Sequence, residues 1–418
     1  MLRLAMPLLL ACLLASNAAA ESPISRGTTA GRAEGVSAEG SAYGLTWLSS
    51  TAVTPTADLT SGDFVRVFEN GDKILVTFST TLSSALVPGT CSAAGAYAYR
   101  EFDRDMTPTG RQGVISCGVR GDNGGLLVGD RFYLAVSGID DTVFDGWNLS
   151  MYDAASWSTL PAAPAAPLTG PTTHALACGM RAGDPVLAVV NGLVDIDGKY
   201  LGPDCCGGAE SSWPAWCLPA SANSFTTHHN FFDPATFSPA PCPPSCPLTL
   251  PVPPNPGHID MDSLWMEDGY INLMASTGSS IFGDLVLIRL DSAWSYVDSK
   301  VLREHAWGPE GVATYRGRHY VSFLDSSTCG GALPCAMNAR LAVFDGAWTA
   351  PPLGEIALTS FATDSGMTAQ KATLLLVGDT LYVATVSSLS NDVSTAQVTV
   401  DLFRIGPAHR LRRRLSRE

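Results

Sequence analysis

The segment from His258 to Asp262 is the densest group of side chains in this chain that could do chemistry. It reads His-Ile-Asp-Met-Asp, and in an extended strand alternate residues point to the same side. His258, Asp260 and Asp262 would then place an imidazole and two carboxylates within reach of one divalent cation. The alternative is structural, because Asp side chains commonly bond to the backbone of their own loop. A metal site would also need ligands from elsewhere, for which His174 and His305 are the candidates.

Other chemically capable residues stand just before, or at the start of, short apolar strands elsewhere in the chain. They are Asp63, His174, His305, Trp307, Glu310 and Lys371. Carboxylates, imidazoles and an amine can bind the hydroxyl groups of a ligand, and an exposed indole ring can stack on a sugar face. If the loops that lead into these strands converge, these residues form one binding site.

Two sequence markers recur along the chain and indicate what brings these loops together. The first is a Gly turn inside a pair of apolar strands, at Gly71, Gly129, Gly183, Gly269, Gly317 and Gly378. The second is an aromatic residue or Leu followed by a charged residue, at Phe102, Tyr152, Phe232, Leu290, Phe344 and Phe403. Each marker occurs once per unit of about 50 to 60 residues, apart from one long gap, and such a period is typical of repeats that bury their faces against their neighbours.

The repeats predict an all-β fold, a β-propeller of six blades. A helical solenoid would need apolar residues at a spacing of 3.6, whereas these segments are short and bounded by Gly, Asp, Asn and Pro. A two-layer sandwich could share the content of 40 Gly and 28 Pro, but it does not require one strand pair to recur. In a propeller, the loops entering the innermost strands converge on one axial face. We also expect the ring to close by pairing of residues 43–48 with residues 396–406.

The second marker resembles part of a known repeat. The sequence NLSMYDAASWSTLPAAP, from Asn148 to Pro164, resembles the outer half of a kelch blade, with Tyr-Asp followed by Trp157. Trp294 and Trp348 occupy the same position in later units, so we expect these three rings in the blade cores. Because the Gly doublet typical of kelch strands is missing, the repeats are degenerate and kelch-like, and the resemblance implies a fold rather than an activity.

Three acidic motifs resemble those of five-bladed glycoside hydrolases. They are centred on Asp63, Asp260 and Glu310. The resemblance implies that Asp63 acts as the base or nucleophile, that Asp260 tunes the acid and orients the substrate, and that Glu310 protonates the leaving group. The motifs depart from the family in lacking the Pro that often follows the Asp residues, and six units do not match five blades. No repeated Ser-x-Asp-x-Gly-x-Thr-Trp box of the sialidases is found.

The chain ends and the cysteines indicate an exported protein. Residues 1–20 have the composition of a secretory signal peptide, with Cys12 as a lipoprotein alternative. We predict one propeller domain over residues 21–409 and a basic tail over residues 410–418. Ten Cys remain after the signal is removed, and an even number in a secreted chain favours disulfides.

Two disulfide pairs follow from proximity, while the other cysteines gather at one place. Cys329 should pair with Cys335, and Cys91 with Cys117. The remaining six lie around the long gap, where residues 203–257 form a Cys- and Pro-rich stretch. Its Pro content disfavours ladder pairing, so we predict an irregular insertion pinned by disulfides.

We therefore predict a secreted or periplasmic, monomeric propeller. It would bind a small ligand, a carbohydrate in the first place, or an extracellular partner on its axial face. The alternative is a glycoside hydrolase that uses a carboxylate pair on the same face. A net charge of −14 argues against nucleic acid as a partner, and no segment predicts a transmembrane span. We expect no cofactor, with a divalent cation at His258, Asp260 and Asp262 as the alternative.

Overall fold

The computed structural model describes most of the chain between residues 44 and 406. The described ranges are 44–54, 65–80, 96–117, 123–136, 147–160, 166–168, 174–181, 184–191, 224–232, 239–240, 248–251, 258–267, 269–278, 283–329, 335–362, 365–389 and 392–406. Throughout these ranges the regular structure is β-strand, and none of it is helix. The predicted signal peptide and the basic tail lie outside the described residues.

The strands follow the sequence repeats in order. The first group is β1 (Leu45–Ala52), β2 (Arg66–Asn70), β3 (Lys73–Thr80), β4 (Ala96–Asp103), β5 (Pro108–Cys117), β6 (Asn123–Val128), β7 (Arg131–Val136), β8 (Trp147–Asp153) and β9 (Ala166–Leu168). The second is β10 (His174–Arg181), β11 (Asp184–Asn191), β12 (Ser224–Phe232), β13 (Pro239–Ala240) and β14 (Leu248–Pro251). The third is β15 (His258–Glu267), β16 (Tyr270–Gly278), β17 (Asp284–Leu290), β18 (Tyr296–Arg303), β19 (Ala306–Tyr315), β20 (Arg318–Asp325), β21 (Asn338–Asp345), β22 (Gly354–Ala357), β23 (Met367–Val377), β24 (Thr380–Leu389) and β25 (Asp392–Ile405).

These strands form antiparallel meanders, which we call blades and number by repeat. Blade 1 is β2–β5, blade 2 is β6–β9, and blade 3 is β10–β13 with β14 added to β12. Blade 4 is β15–β18, blade 5 is β19–β22, and blade 6 is β23–β25 completed by β1. The described ranges thus contain one meander for each sequence repeat. The total number of blades in the chain stays a prediction.

The first strands of the blades stand side by side around a common centre. Each first strand contacts the first strands of the two neighbouring blades, in the order β2, β6, β10, β15, β19 and β23. The last of them, β23, contacts β2. The ring is closed through blade 6, where β1 from the N-terminal side pairs with β25 from Leu45↔Ile405 to Ala52↔Thr399. Both the predicted all-β propeller and the predicted closing pair are confirmed.

Apolar faces of neighbouring blades pack on each other, which is why the repeats need one another. Between blades 1 and 6, Ile74 and Phe102 meet Ala384 and Val400, all of them fully or almost fully buried. Equivalent cores join blades 5 and 6, blades 4 and 5, and blades 1 and 2. Burial between blades is the main source of stability in such a ring, because a single blade has no second layer of its own.

The two markers occupy fixed places in the blade. Those Gly residues of the first marker that the structure describes form the turn between the first and second strands, where Gly71 and Gly378 have φ values of 65° and 62° that suit residues without a side chain. The aromatic or Leu residue of the second marker lies at or near the end of the third strand, as Phe344 does next to the last residue of β21. Trp294 and Trp348 then lie buried in the blade core, as predicted, while Trp157 is half-buried against Tyr99 and Phe132.

The region predicted as an irregular insertion is partly a blade. Of residues 203–257, the described segments are the strands β12, β13 and β14, and β12 pairs with β11 from Leu187↔Phe232 to Asn191↔His228. The prediction of irregular structure was wrong for β12, which has the sequence SFTTHHNFF and is free of Pro. Of the Pro residues in this stretch, Pro239 lies in β13 and Pro251 ends β14, and both are short edge strands where a missing amide donor is tolerated. The rest of the stretch, with its cysteines, lies outside the described residues.

The structure contains the predicted Cys329–Cys335 disulfide, which closes the connection from β20 to β21. Cys117 is also disulfide-bonded. Its predicted partner, Cys91, lies outside the described residues.

Candidate functional site

The candidate site lies at the end of the propeller where the six first strands begin, which we call the entry face. His174 and His258 are the first residues of β10 and β15. Asp260 and Asp262 follow in β15, Trp307 and Glu310 lie in β19, Lys371 lies in β23, and His305 directly precedes β19. Asp63 lies outside the described residues. The topology therefore gathers the other predicted residues on the strands that line one face, as the repeats indicated.

Three neighbouring first strands depart from regular pairing near this face. In β15 the register shifts between Met261 and Ser263, so that Asp262 is an extra residue. In β23 it shifts between Ala369 and Lys371, which makes Gln370 the extra residue. In β19 the register passes from Trp307↔Leu324 to Gly311↔Ser322, so residues 308–310 stand opposite Phe323 alone. Such bulges re-aim side chains and are common beside active sites.

In β10, pairing with the second strand of the same blade runs from His174 to Arg181 without a register shift. The described parts of β2 and β6 are also regular, but they start at Arg66 and Asn123, nearer to their Gly turns than the bulges of β15, β19 and β23 are to theirs. The three bulged strands are adjacent in the ring and belong to blades 4, 5 and 6.

Hydrogen bonds between blades place the three bulges at one height along the axis. Ser263 in β15 donates its hydroxyl to the carbonyl oxygen of Pro309 at 2.6 Å. Pro309 in turn pairs with Ala372 of β23 in a parallel bridge. Asp262, Glu310 and Lys371 are each the sequence neighbour of one of these three residues. Their backbones therefore lie side by side on three adjacent strands.

The bulge in β15 changes the prediction for the His-Ile-Asp-Met-Asp segment. Strict alternation would have put His258, Asp260 and Asp262 on the same side of the strand. The register shift at Asp262 interrupts that alternation, so the period-two argument holds only for His258 and Asp260. Among the described residues, no group of three or more His, Cys, Asp or Glu is arranged to hold a metal ion. The side chains of this segment lie outside them, so the cation site stays a prediction.

His305 is held in an unusual backbone conformation at the mouth of β19. Its φ is 55°, in the left-handed region that residues other than Gly seldom adopt. Its amide donates to Oδ1 of Asp284 at 3.3 Å, and its carbonyl accepts the amide of Ser326 at 3.0 Å. The imidazole itself is exposed. Its contact with a ligand stays a prediction.

An ion-pair network lies beside His305, between blades 4 and 5. Asp325 is 4% exposed and accepts Nε of Arg340 at 3.0 Å, while Nη2 of Arg303 stands 3.6 Å from its other oxygen. Nε of Arg303 also donates to Glu355 at 2.7 Å. Burial opposes the charge of Asp325, but hydrogen bonds from Ser327 and the attraction of the two arginines outweigh it and lower the pKa of Asp325.

Trp307 and Lys371 lie within the walls of the entry face. Trp307 is half-buried and packs against the core between blades 5 and 6. Ala372 and Leu374 face the same core, so by alternation Lys371 lies on the opposite side of β23, towards blade 1, where it is 7% exposed. Their contact with a ligand stays a prediction. Trp265 in β15 packs on Trp348, and its indole nitrogen donates to Glu267 at 3.2 Å.

Sequence reasoning missed the serines that fix the bulges. Ser276 accepts the amide of Gly308 at 2.9 Å, and Ser322 donates to the carbonyl of Ala372 at 2.9 Å. Together with Ser263, they form polar contacts between neighbouring blades at this level. No sequence signal could have found them, because Ser is common in strands and loops alike and its role here depends on a neighbouring blade.

Among known proteins, only solved structures resemble this chain; its sequence matches no family model and no curated protein. Among solved structures, a phage phi92 endosialidase is 10% identical, with a TM-score of 0.49, over 90% of this chain and 71% of its own. A Trypanosoma rangeli sialidase is 11% identical, with a TM-score of 0.45, over 85% of this chain and 59% of its own. A GH43_1 enzyme from Xanthomonas citri, complexed with xylose, is 12% identical, with a TM-score of 0.41, over 84% and 90%.

These likenesses concern the chain as a whole and say nothing of its site. With TM-scores below 0.5, the fold assignment rests on the strand pairing of this chain itself. All three proteins are glycoside-processing proteins, and the kelch-like character expected from the repeats finds no support among them. Within the described residues, no helix is long and apolar enough to cross a membrane.

Proposed function

We propose that this protein is exported and binds a carbohydrate on its entry face, on the side formed by blades 4, 5 and 6. The observation that carries the proposal is the set of three bulges on β15, β19 and β23, joined at one level through Ser263, Pro309 and Ala372. This level holds the backbone of Asp262, Glu310 and Lys371, and Asp260 lies two residues before Asp262 in β15. Carboxylates and an amine are the groups that bind sugar hydroxyls. The exposed imidazole of His305 lies at the rim of the same region.

A glycoside hydrolase is the second candidate function. Glu310 lies in the bulge of β19, directly beside the strand that carries Asp260, and the Ser263–Pro309 hydrogen bond ties the two strands together. Hydrolysis of a glycosidic bond needs two carboxyl groups on opposite sides of the bond. Glu310 would serve as the acid, with Asp63 as the base or nucleophile and Asp260 orienting the substrate.

The test uses two substrate sets on the full secreted chain. A glycan array measures binding, and a panel of 4-nitrophenyl glycosides measures hydrolysis. We expect the unmodified protein to bind at least one glycan class and Glu310→Gln to bind it at least tenfold more weakly. The matched control is Glu69→Gln, which changes a carboxylate at the far end of a first strand, where it pairs with Arg104. It should leave binding unchanged.

The outcomes separate the candidates. Glycan binding without release of nitrophenol assigns a lectin-like role. Release of nitrophenol that falls at least a hundredfold in Glu310→Gln assigns the hydrolase. A protein that neither binds nor cleaves any member of the two panels, or in which both substitutions act alike, would refute the proposed site.

A further inference from the structure

The bulge of β19 interrupts the regular pairing of residues 308–310 with β20. Three residues of β19 stand opposite Phe323 alone, so β20 cannot offer each of them a regular ladder partner. Gly308 and Pro309 are buried. Buried backbone polar groups need hydrogen-bond partners, and losing one is costly. Something outside the blade must therefore stabilise this segment.

Two serines of blade 4 provide these partners. Ser276, in the second strand β16, is fully buried and accepts the amide of Gly308 at 2.9 Å. Ser263, in the first strand β15, donates to the carbonyl of Pro309 at 2.6 Å. The contacts fall on two consecutive residues, and the next residue is Glu310. On the other side, Gly311 packs so closely on β23 that a Cβ there would lie 2.3 Å from the amide nitrogen of Leu374.

We infer that Ser276 and Ser263 are positioning residues for Glu310. They hold the bulged backbone from blade 4 while β23 confines it from blade 6, so that the backbone of Glu310 is fixed in one place. The role of Glu310 in this inference rests on the proposed function. Whether the serines hold its backbone in place can be measured without any ligand.

Hydrogen exchange measured by mass spectrometry tests the backbone part. Ser276→Ala is the main variant, and Ser263→Ala, at a less buried position, is the second should the first fold poorly. The control is Thr359→Ala, because the buried hydroxyl of Thr359 also accepts a backbone amide, that of Ala339 at 2.8 Å, but in the outer part of blade 5. We expect exchange in a peptide covering residues 306–313 to become at least tenfold faster in both serine variants and to stay unchanged in the control.

The pH dependence of activity tests the functional part. With the 4-nitrophenyl glycoside that the unmodified protein cleaves, the serine variants should shift the alkaline limb of the pH profile, because Glu310 must be protonated to act as the acid. With a glycan that the protein only binds, they should shift the acidic limb, because the ionised carboxylate accepts hydrogen bonds from the sugar hydroxyls. Thr359→Ala should keep either profile. Equal exchange in all three variants overturns the inference, whatever the ligand results are. Faster exchange with an unchanged pH profile overturns the functional part alone. If the protein neither binds nor cleaves any glycan, the proposed function is refuted. The hydrogen-exchange result then tests by itself whether the two serines hold the backbone of residues 308–310.

Discussion

Replacing Gly311 by alanine should force apart the first strands of blades 5 and 6. A Cβ on this residue would lie 2.3 Å from the backbone nitrogen of Leu374 and 2.8 Å from both Cγ of Leu374 and Oγ of Ser322, whereas ordinary contacts begin at 3.4 Å. The nearest atom is backbone and cannot rotate away. The two strands must therefore separate by about 1 Å, which also strains the hydrogen bond from Ser322 to Ala372.

The expected loss of folding free energy follows from the two interactions that Gly311→Ala disturbs. Overpacking of a tight core costs about 1–3 kcal/mol, and a weakened buried hydrogen bond adds about 1 kcal/mol. We expect Gly311→Ala to lower the free energy of unfolding by about 3 kcal/mol and the melting temperature by roughly 5 °C. Urea titration followed by tryptophan fluorescence, together with thermal melting, measures both. Because β19 moves as a unit, ligand binding should fall as well.

Gly113→Ala is the matched control for this experiment. Gly113 also lies in a strand, but a Cβ there meets only the side chain of Tyr99, at 3.3 Å. A side chain can yield by a few tenths of an ångström, and alanine reduces the entropy of the unfolded chain, so the stability should change by less than about 1 kcal/mol. If Gly311→Ala is as stable as the unmodified protein, or no less stable than Gly113→Ala, the close approach of β19 and β23 is refuted.

Two further predictions concern the entry face. Asp325→Asn should lower the free energy of unfolding by about 2 kcal/mol at pH 7, because two half-buried arginines lose their common partner. Since the folded-state pKa of Asp325 is lowered, this contribution is present above the ordinary value of 3.8 and is lost as the pH falls through the folded-state pKa. Urea titrations at pH 7 and pH 3 should show the difference between the two proteins shrinking at pH 3, and a constant difference would contradict the assignment. His305→Gly should raise the free energy of unfolding by about 0.5–1 kcal/mol by relieving a left-handed conformation, while it weakens glycan binding. Arg316→Gly, with a φ of 52° at the opposite end of β19, should give the same gain without affecting binding. Equal binding by both variants would exclude His305 from the site.

Most of the fold could be predicted from the sequence repeat, because each blade must satisfy the same local geometry. Gly317 marks the turn after β19, and Phe344 marks the end of β21, since a positive φ and a buried strand end demand these residue types wherever the blade recurs. Neither marker depends on what a neighbouring blade does. For the same reason, the sequence predicted the order of the first strands and the pairing of β1 with β25.

The bulges could not be predicted, because they are determined between blades. Residues 308–310 contain Gly and Pro, which are consistent with a turn, a strand edge or a bulge alike. The bulge is stabilised by neighbouring blades: Ser263 donates to the carbonyl of Pro309, Ser276 accepts the amide of Gly308, and Pro309 pairs with Ala372 of β23. The error over β12 has a similar origin. The Pro-rich surroundings predict an irregular stretch, although the nine residues of β12 are apolar or hydroxyl-bearing at most positions and pair well.

The three bulges bear on where a ligand would sit. A propeller that served only as a scaffold could keep a regular register in its first strands, as β10 does from His174 to Arg181. Each bulge gives up ladder hydrogen bonds that side chains such as Ser276 must then replace, so three adjacent bulges are costly unless they serve a purpose. They coincide with the strands that carry Asp260, Glu310 and Lys371. A ligand held by these strands would therefore lie off the propeller axis, against blades 4, 5 and 6, and within reach of His305 at the rim.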